Sequence, residues 1–411
     1  MVGAEKFDVV ILGSGMVGLC IAYQIAQKSH LSRILILEKE EKVGMHTSGR
    51  NSGVLHAGIY YKPNTLKANI CVNGAKRLKK WVKDRGLPIN ECGKVIVAQD
   101  INLDHQLDKL LERGSENGAV VELVDDKQLN AIEPLAASSS GRALWSPNTA
   151  VVKPKAVLEQ LVRELVEIGV EIRTGEKNWN YDAKENVIRL SKDRKIAFQY
   201  LFNCCGIYAA SVAKQFGIGS NWRIMPFKGL YWEIREASKE RLPINTNIYP
   251  VPDLDLPFLG VHFTPNAELL KKVFIGPTAI PALGRENYRG VEMIEPKLFV
   301  EMAGIMLGQF VKNEGNIRQY TRDQLRLNIK PFMISEAQKL VPSLKNSDIK
   351  FSSKVGIRPQ LFNTFTQKLE DDFVTLTTKN TTHVLNAISP AFTASFELAD
   401  LIIRKSSLEL N

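Results

Sequence analysis

The sequence predicts an α/β fold: a parallel-sheet unit at the N-terminus, joined to an α+β second domain with a mostly antiparallel sheet flanked by helices. Three observations carry this. FDVVILGSGMVGLCIAYQIAQ passes from a β-branched run through a glycine-rich turn into a helical apolar period, and RILIL follows as a second buried strand. Residues 223–345 instead hold short aromatic and β-branched runs separated by turn residues, followed by helical periods. The chain has 411 residues, long for one core, so two domains are expected.

In the first forty residues each position has a physical reason. Val9 to Leu12 form the strand, and Val17, Cys20, Ile21 and Ile25 share a helix face. Gly13 permits the tight turn, Gly15 lets a pyrophosphate approach the backbone, and Gly18 lets the helix pack closely on the strand. The helix N-terminus offers free N–H groups and a positive dipole end to phosphates. Glu38 ends the second strand about twenty residues beyond Gly18, where a carboxylate accepts hydrogen bonds from an adenosine ribose. This is a Rossmann-like dinucleotide unit. The acid disfavours a 2′-phosphate and so argues against NADP, leaving FAD and NAD.

The stretch HTSGRNSGVLHAGIYY at 46–61 decides between them. An NAD enzyme continues into further βα units, whereas this chain inserts glycine and polar residues after Glu38 and Lys39. FAD extends past the portion held by the first turn and needs extra backbone there. Ser48, Arg50, Asn51, Ser52 and Gly53 supply N–H groups and a guanidinium for it, and His46 belongs to the same loop.

Further on, Val157, Leu158, Leu161, Leu165 and Ile168 define an amphipathic helix over 155–169, with a strand at 170–172 and an antiparallel meander around 178–198. Residues 199–203 re-enter the sheet and meet Cys204, Cys205 and Gly206, small enough for phosphates or a ribose to pass. The cysteines read as packing residues, since vicinal cysteines bridge only with strain. Helices are expected at 296–312, 314–326 and 332–341, a strand at 382–387 and a final helix at 391–403. The cofactor domain is therefore expected to be discontinuous (1–80, 145–220 and 350–411), with 81–144 and 221–349 forming a substrate domain.

Composition narrows the classes. The net charge of +10 favours anionic partners, but the basic residues are dispersed, so nucleic acid is not an expected partner. No apolar run reaches a membrane span, and MVGAEKFDVVILG enters a strand too soon for a targeting segment. Five cysteines without CxxC spacing fit a reducing, cytoplasmic setting without disulfides or zinc. The apolar segment 297–312 is most simply placed in the substrate-domain core. Lys312, Arg318, Arg322 and Arg326 after it allow at most weak, reversible contact with an anionic membrane surface.

Several stretches resemble one family. HTSGRNSGVLHAGIYYKPNTLKANICVNGA (46–75), FKGLYWEI (227–234), VPDLDLPFLGVHFT (251–264), IGPTAIPAL (275–283), VGIRPQ (355–360) and HVLNAISPAFTAS (383–395) span nearly the whole chain. Together they resemble the D-amino-acid-oxidase-like superfamily of FAD oxidoreductases and, within it, the L-2-hydroxyglutarate dehydrogenase/oxidase family. The resemblance implies FAD as cofactor and oxidation of a 2-hydroxy acid, L-2-hydroxyglutarate, to the 2-oxo acid. It also implies that Gly206, Gly356, Ser389, Ala391 and Thr393 lie along the flavin nucleotide. In similar Gly–apolar–Arg–Pro stretches an arginine holds the substrate carboxylate, which points to Arg358.

That chemistry needs a base for the hydroxyl proton, a hydride acceptor, and cations for the carboxylates. His56 and His262 are the base candidates, since a neutral imidazole suits proton abstraction near neutral pH. Arg358 suits a planar carboxylate through its two-pronged guanidinium. Lys228, Tyr231, Tyr60 and Thr278 are candidates for a second anchor on a dicarboxylate. No metal-ligand spacing is present. An amine or amino-acid oxidase of the same superfamily and a non-catalytic, partner-binding flavoprotein are the alternatives. The electron acceptor stays open among oxygen, a quinone or another carrier.

Overall fold

The structure, a computed structural model, describes residues 4–28, 33–252, 260–268, 272–313 and 317–409. The middle of the 251–264 stretch, 253–259, lies outside these residues.

One sheet is centred on Glu5–Leu12, which pairs in parallel with Lys195–Asn203 on one side and Ile34–Leu37 on the other. Beyond Ile34–Leu37 comes Glu171–Arg173, also parallel. On the far side of Lys195–Asn203, Thr381–Asn386 pairs in parallel at one end and the antiparallel meander of Asn180–Asp182 and Val187–Arg189 at the other. Helices Met16–Lys28, Leu66–Asp84, Pro154–Glu167 and Ser395–Lys405 cover one face, with Leu19, Ile25, Leu78, Leu161, Phe396 and Ile402 in the shared core. Strands buried on both faces must be apolar throughout, and Ile34–Leu37 reads ILIL accordingly.

A second, larger sheet is antiparallel except where Asn247–Pro250 runs parallel to Lys94–Val97. Its spine is the pair Trp222–Ile234 and Ile349–Asn363, registered along most of its length with an irregularity between Leu230 and Trp232. Strands His262–Pro265 and Val273–Gly276 extend it. A three-stranded sheet ties Val54–Leu55 to Ala150–Val152 and Ile89–Asn90.

Two expectations are corrected. The last helix starts at Ser395, because 391–394 form a turn that lays Thr393 beside Val54 and His56. The helix Pro296–Lys312 is not a core helix. Leu298 and Met302 pack with Met225 and Phe362 at one edge, while Phe299, Val300, Leu307, Phe310 and Val311 are exposed. Periodicity marks an apolar face but not whether anything covers it.

Close packing at the first turn explains its glycines. A Cβ at Gly18 would lie 2.2 Å from the Gly13 carbonyl oxygen and 3.3 Å from Cys204 Cβ. Gly18→Ala is therefore expected to destabilise the fold by about 1–3 kcal/mol and to lower flavin content, because the turn must shift to admit a methyl group. Thermal unfolding and the flavin-to-protein absorbance ratio check this.

Candidate active site

Two adjoining clefts lie where the sheets meet. The outer one, of about 610 Å³, is lined by Gly13, Gly15, Glu38, Lys39, Ser48 and Gly206 among others. The inner one, of about 280 Å³, is lined by His56, Tyr231, His262, Thr278, Gly356, Arg358 and residues 387–393 among others. Val17, Thr47, Ser48, Pro359 and Ala387 belong to both walls. One long ligand can therefore run from the glycine turn to the histidines.

The outer cleft fits the nucleotide end of FAD. The Gly13 N–H donates to Leu37 O at 2.8 Å, and its φ of 101° is one that favours glycine. Glu38 Oε2 accepts from Ser14 N (2.9 Å) and Ser14 Oγ (2.7 Å), and Oε1 from Glu40 N (2.9 Å), so the acid braces the turn as well as facing the cleft. The helix-terminal Met16 N–H donates to Ser48 Oγ at 2.9 Å, tying the loop to the phosphate end of the helix. A Cβ at Gly206 would meet open space, so this strand end leaves room for a ligand. Lys39 bridges Glu40 and Glu286, and His46 bonds Glu40 (3.1 Å) and Tyr288 (2.8 Å). Glu40, His46 and Glu286 have ligand atoms close enough to hold a cation, but the Lys39 ammonium already supplies positive charge there.

The loop past Ser48 is held by its own side chains. Arg50 Nε donates to Met45 O at 2.7 Å with its guanidinium over Tyr288, and Asn51 caps the turn through Ser48 O and Gly53 N. Arg50, Asn51 and Ser52 line the inner cleft. Gly53 does not: it adopts φ 82° where a Cβ would strike Val152 O, so its glycine serves the three-stranded sheet. Gly18 likewise serves packing and borders neither cleft.

In the inner cleft His56 is held from the far end of the chain. Its backbone N–H donates to Thr393 Oγ1 at 3.2 Å, and Ser389 Oγ lies 3.3 Å from Nε2. Ala391 lines the same wall. His262 has Nδ1 2.8 Å from Gly260 O. A carbonyl only accepts, so Nδ1 carries the proton and Nε2 keeps its lone pair. Its ring stacks on Tyr249 at 4.0 Å. Burial pushes His56 down to about 3, helped by Lys94 and His262. Burial likewise pushes His262 down to about 4, with Lys94 acting against the raising pull of the Gly260 carbonyl. Both are neutral imidazoles at neutral pH.

Register explains Arg358. It lies opposite Phe227, and Gly356 opposite Gly229, so all four share one sheet face and line the cleft. Alternation also explains why Lys228 does not. Phe227, Gly229 and Tyr231 face the cleft, and Lys228 points away to bond Asn287 Oδ1 at 2.8 Å. Thr278 lines the cleft while its Oγ1 accepts from Leu230 N at 3.2 Å. Tyr60 lies beneath the cleft rather than in its wall, with the Lys94 ammonium over its ring. Tyr249 and Lys94 went unread because no local motif marks them.

A glycine turn running into a cleft with neutral imidazoles and a guanidinium suits an enzyme that binds a nucleotide cofactor beside an anionic substrate. The family of FAD-dependent oxidoreductases (DAO) matches residues 8–404, and the chain belongs to that family. It is 31% identical to the mitochondrial L-2-hydroxyglutarate dehydrogenase of Bos taurus over 418 residues, 97% of this chain and 88% of that protein. It is 34% identical to the L-2-hydroxyglutarate dehydrogenase of Indibacter alkaliphilus, covering 96% and 98%. Among solved structures, FAD-bound L-α-glycerophosphate oxidase from Mycoplasma pneumoniae has a similar fold (TM-score 0.74, 20% identity, 97% and 94% coverage).

Glu38→Ala removes three hydrogen bonds from the turn and a carboxylate that lines the outer cleft. FAD affinity is expected to fall by about 1–3 kcal/mol, read as flavin released on dilution and gel filtration.

Proposed function

We propose that the protein oxidises L-2-hydroxyglutarate to 2-oxoglutarate. The observation that carries this is the inner cleft's charge. Its wall holds Arg50, Arg358 and two neutral histidines, and among the described residues no Asp or Glu. Such a site attracts an anionic acid and offers a base for its hydroxyl. The dehydrogenases of Bos taurus and Indibacter alkaliphilus carry that substrate in their names.

In this reading Gly13, Gly15, Glu38, Ser48 and Gly206 hold the nucleotide, and Gly356 and residues 389–393 border the flavin. FAD, when bound, supplies the hydride acceptor at N5. Arg358 grips the carboxylate next to the carbinol carbon, fixing which face of that carbon is presented. The His56–His262 pair takes the hydroxyl proton, with His262 Nε2 offering a lone pair by virtue of its tautomer. Tyr231 and Thr278 remain as donors for the distal carboxylate. The division into a cofactor part (1–80, 145–220, 350–411) and a substrate part (81–144, 221–349) belongs to the same proposal.

L-2-hydroxyglutarate is expected to bleach the flavin spectrum anaerobically, while D-2-hydroxyglutarate, glycine and sarcosine do not. Bleaching by glycine or sarcosine alone replaces this reading with an amine oxidase. A yellow protein that none of them bleaches is a non-catalytic flavoprotein. Arg358→Lys keeps the charge but loses the planar fork, and a KM roughly tenfold or more higher is expected.

A second surface supports a peripheral contact with anionic lipid. Val300 and Val311 are 69% and 65% exposed, and Phe299, Leu307, Phe310 and Leu325 join them. Arg318 caps the helix at Phe310 O (2.7 Å) and lies over the Phe310 ring, and Lys312, Arg322 and Arg326 are also exposed. No helix among the described residues is long and apolar enough to cross a membrane. Apolar side chains flanked by cations suit an interface that is greasy below and negative above, and such a surface favours a lipid-dissolved acceptor such as a quinone. Co-sedimentation with phosphatidylserine-containing vesicles is expected at low salt and should be lost at high salt. Absence of binding at low salt removes the idea.

A further inference from the structure

Lys94 is the buried charge that the reaction scheme leaves unused. It sits on Lys94–Val97 in the large sheet, between Asn247–Pro250 and Arg142–Ser146, and is 0% exposed. Among the described residues its Nζ has no hydrogen-bond partner. The ammonium lies 4.4 Å from the Tyr249 ring centroid and 5.1 Å from that of Tyr60. Tyr249 in turn stacks on His262 at 4.0 Å and 18°.

We propose that Lys94 is a positioning residue for the reaction: its ammonium, held against the Tyr249 and Tyr60 rings, fixes the aromatic ring on which His262 stacks and places a buried positive charge behind the base.

A buried cation without a counterion costs several kcal/mol in general, and a methionine would fill the same space without that cost. Two aromatic faces recover only part of it. What the charge adds is its field on its neighbours. Among the described residues, the titratable groups facing it are Tyr60, Tyr249, His56, His262 and the thiols of Cys71 and Cys92, and none is a carboxylate. Burial raises those thiols to about 12 and about 11, so they stay neutral. Burial lowers Lys94 itself to about 8, which leaves it protonated at neutral pH. A proton added to either imidazole would then sit beside an existing positive charge.

The sign follows directly. Removing the charge raises both imidazole values toward the ordinary 6.5, so the base is lost to protonation at a higher pH. The inference rests on the histidine base proposed above, and the experiment separates the two. In FAD-loaded Lys94→Met and Lys94→Gln, the acid limb of kcat/KM for L-2-hydroxyglutarate is expected to move up by about one pH unit or more. Lys94→Arg should leave it near the wild-type position. In parallel, the Cε1 carbon shifts of His56 and His262, assigned through His56→Asn and His262→Asn, are followed against pH. This readout needs no turnover. In the wild type both rings are expected to stay neutral at pH 5.5, and in Lys94→Met the titration of at least one is expected to move upward while staying below the ordinary 6.5, because burial persists. A folded Lys94→Met or Lys94→Gln with an unmoved limb and unmoved shifts overturns the proposal. So does a wild-type protein in which both rings protonate near 6.5, whether or not the variants fold. If no 2-hydroxy acid is turned over, the functional reading fails while the shift titration still decides the role of Lys94.

Discussion

The structure hangs on how closely two backbones approach at Gly13. A Cβ there would lie 2.6 Å from the carbonyl oxygen of Cys204, which no side chain but hydrogen tolerates. That closeness follows from the parallel pairing of Glu5–Leu12 with Lys195–Asn203, whose ends converge where Cys204 N–H donates to Leu12 O at 2.8 Å. Once the turn is fixed, the helix start is aimed, Ser48 can accept from Met16, and the 46–53 loop has an anchor. Thr47 Oγ1 then donates to Ile357 O at 2.9 Å and joins the loop to the strand bearing Arg358. The glycine turn and the strand that carries Arg358 are thus linked through two hydroxyl groups.

Polarity is divided between the two clefts. The outer one holds Glu38, Glu40 and Glu286, and Lys39 pairs with the last two. The inner one is lined by Arg50, Arg358 and two neutral imidazoles, with no Asp or Glu among the described residues of its wall. Burial makes this consequential, because fields in a water-poor cleft are weakly screened.

Much of this was legible in the sequence. The strand–turn–helix–strand unit carries its own local reasons, and the order of apolar and glycine residues suffices to read it. His56, His262 and Arg358 fall into one cleft as expected from motifs far apart in the chain. Legibility stopped where pairing decides. Lys228 and Tyr231 lie three residues apart on one strand that is irregular between Leu230 and Trp232, and only the folded structure shows that Tyr231 lines the cleft while Lys228 bonds Asn287. Gly53 reads in sequence like its neighbours, which line the inner cleft, yet it serves a strand near Val152. Lys94 and Tyr249 belong to strands whose sequences read as ordinary core. The exposure of Pro296–Lys312 depends on what the rest of the chain leaves uncovered.

The hold of Thr393 and Ser389 on His56 also sets an order in time. Thr393 lies 337 residues beyond His56. At ~5–20 residues per second, the ribosome makes one on the order of tens of seconds after the other. During that interval the glycine turn and Glu38 already exist, and a nascent chain can begin to form its nucleotide cradle. The wall that orients the imidazole does not. Completion of the inner cleft's wall is thereby deferred to late synthesis.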